Sequence, residues 1–159
     1  MQETVQTLRA ISIQQPWLDF ILEAGKDVEN RDRDPHYTGP LLLHQSSTLA
    51  DFEPVMRRLL ERNLVTDRVV HILQRWYCAY GKPESAIVGI ANLAEVTANS
   101  ESPWADEDEY QFVLQHSTRL AEPVPYLGRP YFFKVMGRVV WPEDEGLCPR
   151  LEVAPCDPR

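Results

Sequence analysis

The sequence predicts an α+β domain, on three observations. Short apolar or aromatic runs of strand length recur between residues 8 and 136. Between them lie stretches whose apolar residues repeat at helical spacing, two of these in succession over residues 51–80. Gly and Pro punctuate the runs at short intervals. The 159 residues, 43% hydrophobic and 25% charged, suit one globular domain with a sizeable core.

The first strand reads from Leu8, Ala10, Ile11 and Ile13. Pro16 suits the first turn of a helix, where a missing N–H costs nothing. Trp17, Phe20 and Ile21 then repeat at helical spacing, and Leu18 and Leu22 widen the stripe. Gly25 fits the left-handed position just past a helix end. Residues 27–31 follow as a second extended run, so Lys26, Glu29 and Arg31 are held close to a helix terminus. Pro35 pushes Asp34 out of helix, and residues 32–36 read as a turn. Leu41, Leu42 and Leu43 read as a strand buried on both faces, ended by His44. His44 has two readings: a hydrogen-bonded histidine at the core edge, or a pocket group at a strand end.

Thr48 to Asp51 has the form T-x-x-D and can cap a helix running to about residue 63. Phe52, Val55, Met56, Leu59 and Leu60 form its apolar face. Thr66 caps a second helix to about residue 80, with Val69, Val70, Leu73, Trp76, Tyr77 and Tyr80 at helical spacing. Arg57, Arg58, Arg62, Arg68 and Arg75 lie on this pair. Asp51, Glu53, Glu61 and Asp67 offset them, which favours a solvated face over a nucleic-acid patch. The pair reads as an insertion between strands.

Residues 86–96 carry the strongest strand signal, and Gly89 within them suggests a bulge or a close backbone approach. Residues 99–109 read as a loop holding Trp104 and the run Asp106-Glu107-Asp108-Glu109. That run lacks the spaced ligands and glycine of a calcium loop, so it reads as solvated and no metal site is expected. Trp104 either closes over a pocket or pins its loop to the sheet. Residues 110–115 form the next strand, a turn with Pro123 and Pro125 follows, and residues 131–136 form a last aromatic strand. Beyond Trp141 the chain is rich in Pro and acid. The expected organisation is a domain over residues 1–140 and a loosely packed tail over 141–159.

The formal net charge is −8. Residues 1–80 carry nine Lys/Arg against eleven Asp/Glu, and residues 81–159 seven against thirteen. General phosphate attraction therefore cannot drive binding, and any nucleic-acid contact must come from a local basic patch or a pocket. Residues 1–7 are polar and do not read as a secretory signal. No stretch approaches the roughly 18 consecutive apolar residues of a membrane span. Three cysteines, Cys78, Cys148 and Cys156, are odd in number and suggest free thiols in a cytoplasmic protein. No phosphate-cradling glycine loop and no Ser/His/Asp or Cys/His signature is present, and no cofactor is implied.

Four blocks carry a resemblance. They are S-I-x-Q-P-W at residues 12–17 with G-K-x-x-E-x-R at 25–31; Tyr37-x-Gly39-Pro40 running into His44; residues 86–93; and residues 110–114 with Pro125-x-x-Gly128-Arg129 ahead of Tyr131. Together they resemble the ASCH domain (activating signal cointegrator homology), a PUA-like family of small β-barrels. The resemblance spans about residues 8–136. It implies a small mixed barrel decorated by helices, the helical pair being an insertion, and a pocket for RNA or a nucleotide.

The chemistry rests on Lys26, Glu29 and Arg31. In an extended run, Asp27, Glu29 and Arg31 share one face by the period of two. A Lys26–Glu29 pair needs a twist, which Gly25 allows. Two readings stand side by side. Glu29 and Arg31 form an ion pair that locks the fold, leaving a structural or interaction domain without a ligand. Alternatively, Arg31 or Lys26 holds a phosphate or base carbonyl, Glu29 accepts from a base amino group, and Trp17 or Tyr37 stacks on a ring. The implied ligand-binding set is Ser12, Gln15, Pro16, Trp17, Lys26, Glu29, Arg31, Tyr37, His44, Trp104 and Arg129, and the base read is a modified or flipped one. An enzyme is the competing class. Some small relatives of this kind are amidohydrolases acting on acetylcytidine through a Lys, a Thr and a Glu, and ribonuclease activity is attributed to others. Lys26 matches the Lys, Glu29 stands in place of the Thr, and Lys134 falls near the Glu. Lys26 and Glu29 would then be the catalytic pair of a hydrolase acting on RNA or nucleosides.

Overall fold

Alternating apolar residues give the first strand two useful faces, and the sheet is built around it. The structure is a computed structural model that describes residues 4–79 and 81–155. Tyr80, placed at a helix end by its spacing, and Cys156 lie outside the described residues, as do residues 1–3. Strand β1 (Gln6–Gln15) sends Ile11 and Ile13 into one core and Ala10 into another. Helix α1 (Trp17–Glu23) follows, with Pro16 just ahead of it across a cis Gln15–Pro16 bond. Then come β2 (Val28–Arg31) and β3 (Gly39–Leu49). β1 and β3 run parallel, Ala10 opposite Leu42 and Ile11 opposite Leu43. The leucine run is buried throughout, as its composition requires of a strand covered on both faces.

The helical insertion lies between β3 and the next strand. α2 (Phe52–Glu61) and α3 (Asp67–Gln74) pack Val55, Leu59, Val69 and Ile72 against Phe20 and Val28. Thr66 caps α3, accepting from the Val69 N–H at 3.2 Å. A π-helical turn (Arg75–Ala79) extends α3. Thr48 does not cap α2. β3 continues through Leu49, and the Thr48 hydroxyl accepts from the Gln14 side-chain amide at 2.9 Å instead; Asp51 is the N-cap without a side-chain bond.

β4 (Ala86–Thr97) pairs antiparallel with β3 and with β5 (Tyr110–Pro125), and its register against β5 shifts between Ile87 and Gly89. β6 (Phe132–Val140) pairs with β1, and β7 (Arg150–Val153) with β6. The result is a mixed seven-stranded sheet in the order β2-β5-β4-β3-β1-β6-β7. An α+β architecture is therefore present. Among the described residues no strand pairing joins β2 to β7, so the sheet is open at its ends rather than a closed ladder. It nonetheless folds over on itself: the rings of Phe112 on β5 and Phe132 on β6 lie 5.9 Å apart although three strands separate them in the sheet.

Two expectations are corrected by long-range pairing. The stretch with Pro123 and Pro125 is not a turn, because β5 continues through it and sets Val124 opposite Ile87 and Pro125 opposite Ala86. The chain beyond Trp141 is not wholly loose, because β7 adds an edge strand and buries Leu151 beside Phe133 and Val135.

One buried charge network ties α1 to the insertion and to β5. Asp19, 2% exposed, accepts from Gln15 Nε2 at 3.0 Å, Trp76 Nε1 at 2.7 Å, Arg75 at 2.9 Å and Arg119 at 3.0 Å. Glu23 accepts from Arg75 at 2.6 Å and from Arg119 at 2.8 Å. Burial pushes the Asp19 carboxyl up, but these donors outweigh it and hold the group below its ordinary 3.8. Arg75 likewise holds Glu23 below 4.5.

Both carboxylates therefore ionise more readily folded than unfolded. Their stabilisation is present above the unfolded values and is lost as pH falls through the lower folded ones. The urea midpoint should hold down to about pH 5 and drop on further acidification, and Asp19→Asn should make that drop shallower. Leu59→Ala, which empties the centre of the insertion's core, should cost about 2–5 kcal/mol in urea unfolding at neutral pH.

Candidate functional site

The site begins where α1 stops. Gly25, in the left-handed region at φ 75°, turns the chain so that Lys26 swings back over β2. The Lys26 ammonium donates to the Val28 carbonyl at 2.6 Å and to Glu29 Oε2 at 2.6 Å. Arg31 Nε donates to Glu29 Oε1 at 3.1 Å, and Arg31 Nη2 to the Ser12 carbonyl at 2.7 Å. Both pairings allowed by the spacing thus exist at once, in a relay from Lys26 through Glu29 to Arg31 and onto β1. Lys26 is 4% and Glu29 8% exposed. Burial pushes the Lys26 ammonium down, with Glu29 opposing. Burial raises the Glu29 carboxyl, but Lys26 and Arg31 outweigh it and hold Glu29 below its ordinary value.

Two separate hollows open on this relay. The smaller, about 190 Å³, is lined by Trp17, Lys26, Glu29, Asn30, Arg58 and Asp106. The Trp17 ring has the Lys26 ammonium and the Arg58 guanidinium each 5.9 Å from its centroid, within cation–π range. Arg58 binds both Asp106 carboxylate oxygens and donates to the Trp104 carbonyl at 3.1 Å. Asn30 bridges the Trp104 carbonyl and the Asp106 N–H. The acidic loop is therefore fastened at Asp106, not wholly solvated, and the arginine pair that fastens it is Arg58 with Arg62. Trp104 pins the loop: it is buried with its ring 5.9 Å from Phe20.

The larger hollow, about 380 Å³, lies on the other side of Arg31. Ser12, Gln14, Arg31, His44, Ser85, Arg129 and Tyr131 contribute to its lining, with residues 46–48 along one edge. His44 Nε2 faces the Tyr126 carbonyl at 2.8 Å, which can only accept, so Nε2 carries the proton. Nδ1 is then the acceptor for the Ser12 hydroxyl at 3.0 Å. Burial pushes the His44 pKa down, so the ring is neutral at pH 7. A Cβ at position 128 would run into this ring, which is why the turn beside it carries Gly128. Tyr131 is held by its hydroxyl on the Arg33 carbonyl at 2.7 Å, with the Arg33 guanidinium 5.1 Å from its ring centroid.

A family model, that of the ASCH domain, matches residues 11–129. The chain belongs to the ASCH domain family. ASCH domains are PUA-like and, as a family, associated with RNA binding. No curated protein matches the chain. Within this ASCH domain the residues singled out from sequence fall into five places, Trp104 being buried against Phe20 outside both hollows. Trp17, Lys26 and Glu29 line the small hollow; Ser12, Arg31, His44 and Arg129 line the large one. Gln15 is fully buried and bonds Asp19 and Gln45, so with Pro16 it shapes the start of α1. Tyr37 lies outside both hollows, donating to the Pro40 carbonyl at 2.6 Å beside Phe132. Sequence reasoning missed Asn30, Arg58, Ser85 and Tyr131 as lining groups. Only Tyr131 carried a local signal, an aromatic directly after the Gly128-Arg129-Pro130 turn.

No helix among the described residues is long and apolar enough to cross a membrane.

Glu29 can lose Lys26 and keep Arg31, whereas Lys26 without Glu29 is a buried cation with no carboxylate. Glu29→Gln should therefore cost about 3–5 kcal/mol, and Lys26→Met clearly less. Urea unfolding of the two variants at pH 7 checks the order.

Proposed function

We propose that this ASCH domain binds RNA, or a nucleotide from it, in the hollow lined by Ser12, Arg31, His44 and Tyr131. The folded-over sheet supplies the wall of a barrel-like pocket there. One observation carries the reading. The Arg31 guanidinium is pinned on two sides, by Glu29 and by the Ser12 carbonyl, and its Nη1 carries no hydrogen bond among the described residues. A cation held this rigidly needs little further ordering when an anion or base carbonyl arrives. The hollow's volume of about 380 Å³ suits a ligand of nucleotide size. A flipped or modified base would lie against the Tyr131 ring with its polar edge towards Ser12 and Arg31. Lys26 and Glu29 act behind Arg31, and a cytoplasmic setting fits this role.

A second reading, a hydrolase of RNA or nucleosides, is favoured by one feature: the buried Lys26 ammonium, pushed down in pKa, lies 2.6 Å from a carboxylate. Against it, Lys134 lines neither of the two hollows, so the third member of the amidohydrolase set is not beside Lys26 and Glu29.

A nucleotide at about 100 times its dissociation constant should stabilise the fold by ~2.7 kcal/mol. Arg31→Gln should weaken that binding roughly tenfold to a hundredfold, the worth of a charged hydrogen bond. Isothermal titration of the wild type and variant with nucleosides, nucleotides and short RNA, modified bases included, checks the affinities, and urea unfolding with and without the ligand checks the stabilisation. Mass spectrometry of the recovered ligand separates the two readings. An unchanged ligand sinks the hydrolase, and a cleaved one replaces simple binding with catalysis by Lys26 and Glu29.

A further inference from the structure

The turn at residues 127–129 has a second side. Beyond it lies a groove of about 720 Å³ lined by Arg9, Tyr126, Arg129, Phe132 and Lys134, with Leu127, 88% exposed, on its rim. Every charged side chain in this lining is basic, in a protein of net charge −8. Arg9 on β1 stands directly opposite Lys134 on β6 in the antiparallel register. Like charges at directly opposed positions are destabilising. Among the described residues neither one ion-pairs with a carboxylate, and neither does Arg129. Arg9 instead lies 5.6 Å from the Tyr37 ring centroid, and Tyr37 is 6.4 Å from Phe132. On the 32–36 turn, Asp32 pairs with Arg33 and Asp34 accepts from the His36 backbone N–H at 2.7 Å. Leu127, Gly128 and Arg129 line this groove and the Arg31 hollow alike, so the two adjoin across the turn.

We infer that the groove of Arg9, Arg129 and Lys134 carries the phosphate backbone of single-stranded RNA whose neighbouring nucleotide sits in the Arg31 hollow. This deepens the proposed function and rests on it: the ligand is a chain, not a free nucleotide. An opposed Arg–Lys pair without an acid is a cost in the free protein that a phosphate removes on binding. Single strands are held by a cationic track together with aromatic rings, and the half-buried Tyr126 and Phe132, packed on Phe133 and Phe112, line this one. The groove accounts for Tyr37 as well, which lies outside the hollow but orients Arg9.

The test compares wild type, Arg9→Gln/Lys134→Gln and Arg31→Gln by fluorescence anisotropy over a range of salt. The probes are the four 5′-mononucleotides, random-sequence oligoribonucleotides of about two to eight nucleotides, and a duplex of the same length. Wild type should bind the longer single strands more tightly than the mononucleotides or the duplex. The double variant should lose at least about tenfold for the chains and reduce the log–log salt slope by about 1.4, two single-strand phosphate contacts. Its mononucleotide binding should be unchanged, and its melting temperature equal or higher because a repulsion is gone. Equal affinity for chain and mononucleotide, an unaltered salt slope, equally tight duplex binding or a lowered melting temperature would each overturn the inference. The two proposals fail separately. If Arg31→Gln leaves every affinity intact while the double variant weakens the chains, the groove stands and the pocket reading falls.

Discussion

The buried Glu29 carboxylate is the constraint on which the rest of the site depends. A carboxylate this far from water survives as an anion only if cations and donors replace its hydration. Lys26 and Arg31 do so from opposite sides, one on each oxygen. Neutralising Glu29 decides where three parts of the chain meet: the end of α1, the strand β2 and, through Arg31, the backbone of β1. β2 pairs only with β5 at one end of the sheet, while β1 lies near the other end of the order. The Arg31–Ser12 bond therefore crosses the folded-over sheet and helps to hold its two ends together. Arg31 is fixed as a consequence of charge burial, and a rigid cation at the mouth of a hollow follows from that.

A second carboxylate system flanks the same helix. Asp19 and Glu23 draw in Arg75 from the end of the insertion and Arg119 from β5. The two systems leave α1 little freedom, since one grips its solvent-poor face and the other its C-terminal exit. The insertion is thereby part of the scaffold. Its arginines mostly serve inward: Arg58 and Arg62 fasten Asp106, and Arg75 serves Asp19 and Glu23. Arg57, paired with Glu53 one turn away at 3.1 Å, and the exposed Arg68 behave as ordinary solvated helix charges. Among the described residues a cluster of unpaired cations lies elsewhere, on β1, β6 and the 127–129 turn. An acidic protein can thus present a basic face because most of its other arginines are spent internally.

Much of the local architecture was legible because it depends on neighbours in sequence. The stop at Gly25, the cap at Thr66, the buried leucine strand and the irregularity at Gly89 follow from φ preference, side-chain reach and apolar pattern over a few residues. Thr48 misled because a T-x-x-D pattern cannot report that its hydroxyl has a partner on another strand, Gln14. Pro123 and Pro125 misled because proline argues against a central strand. β5 accepts them only at its far end, where it pairs with the start of β4. β7 was hidden in a stretch whose composition is polar, since one buried leucine is enough for a short edge strand.

By itself the sequence determined the class of fold, the order of most of its elements and the shared face of Glu29 and Arg31, because period, punctuation and two-residue spacing are local properties. The ASCH motif residues could be named in advance for the same reason. Only the tertiary structure decided that those residues divide between two hollows, that Arg58, Asn30 and Asp106 join the first, and that Arg9 meets Lys134 beside the second. Those juxtapositions come from strand register and from burial across residues far apart in the chain. No spacing along the sequence encodes which distant cation will neutralise a buried acid, or which will be left facing solvent.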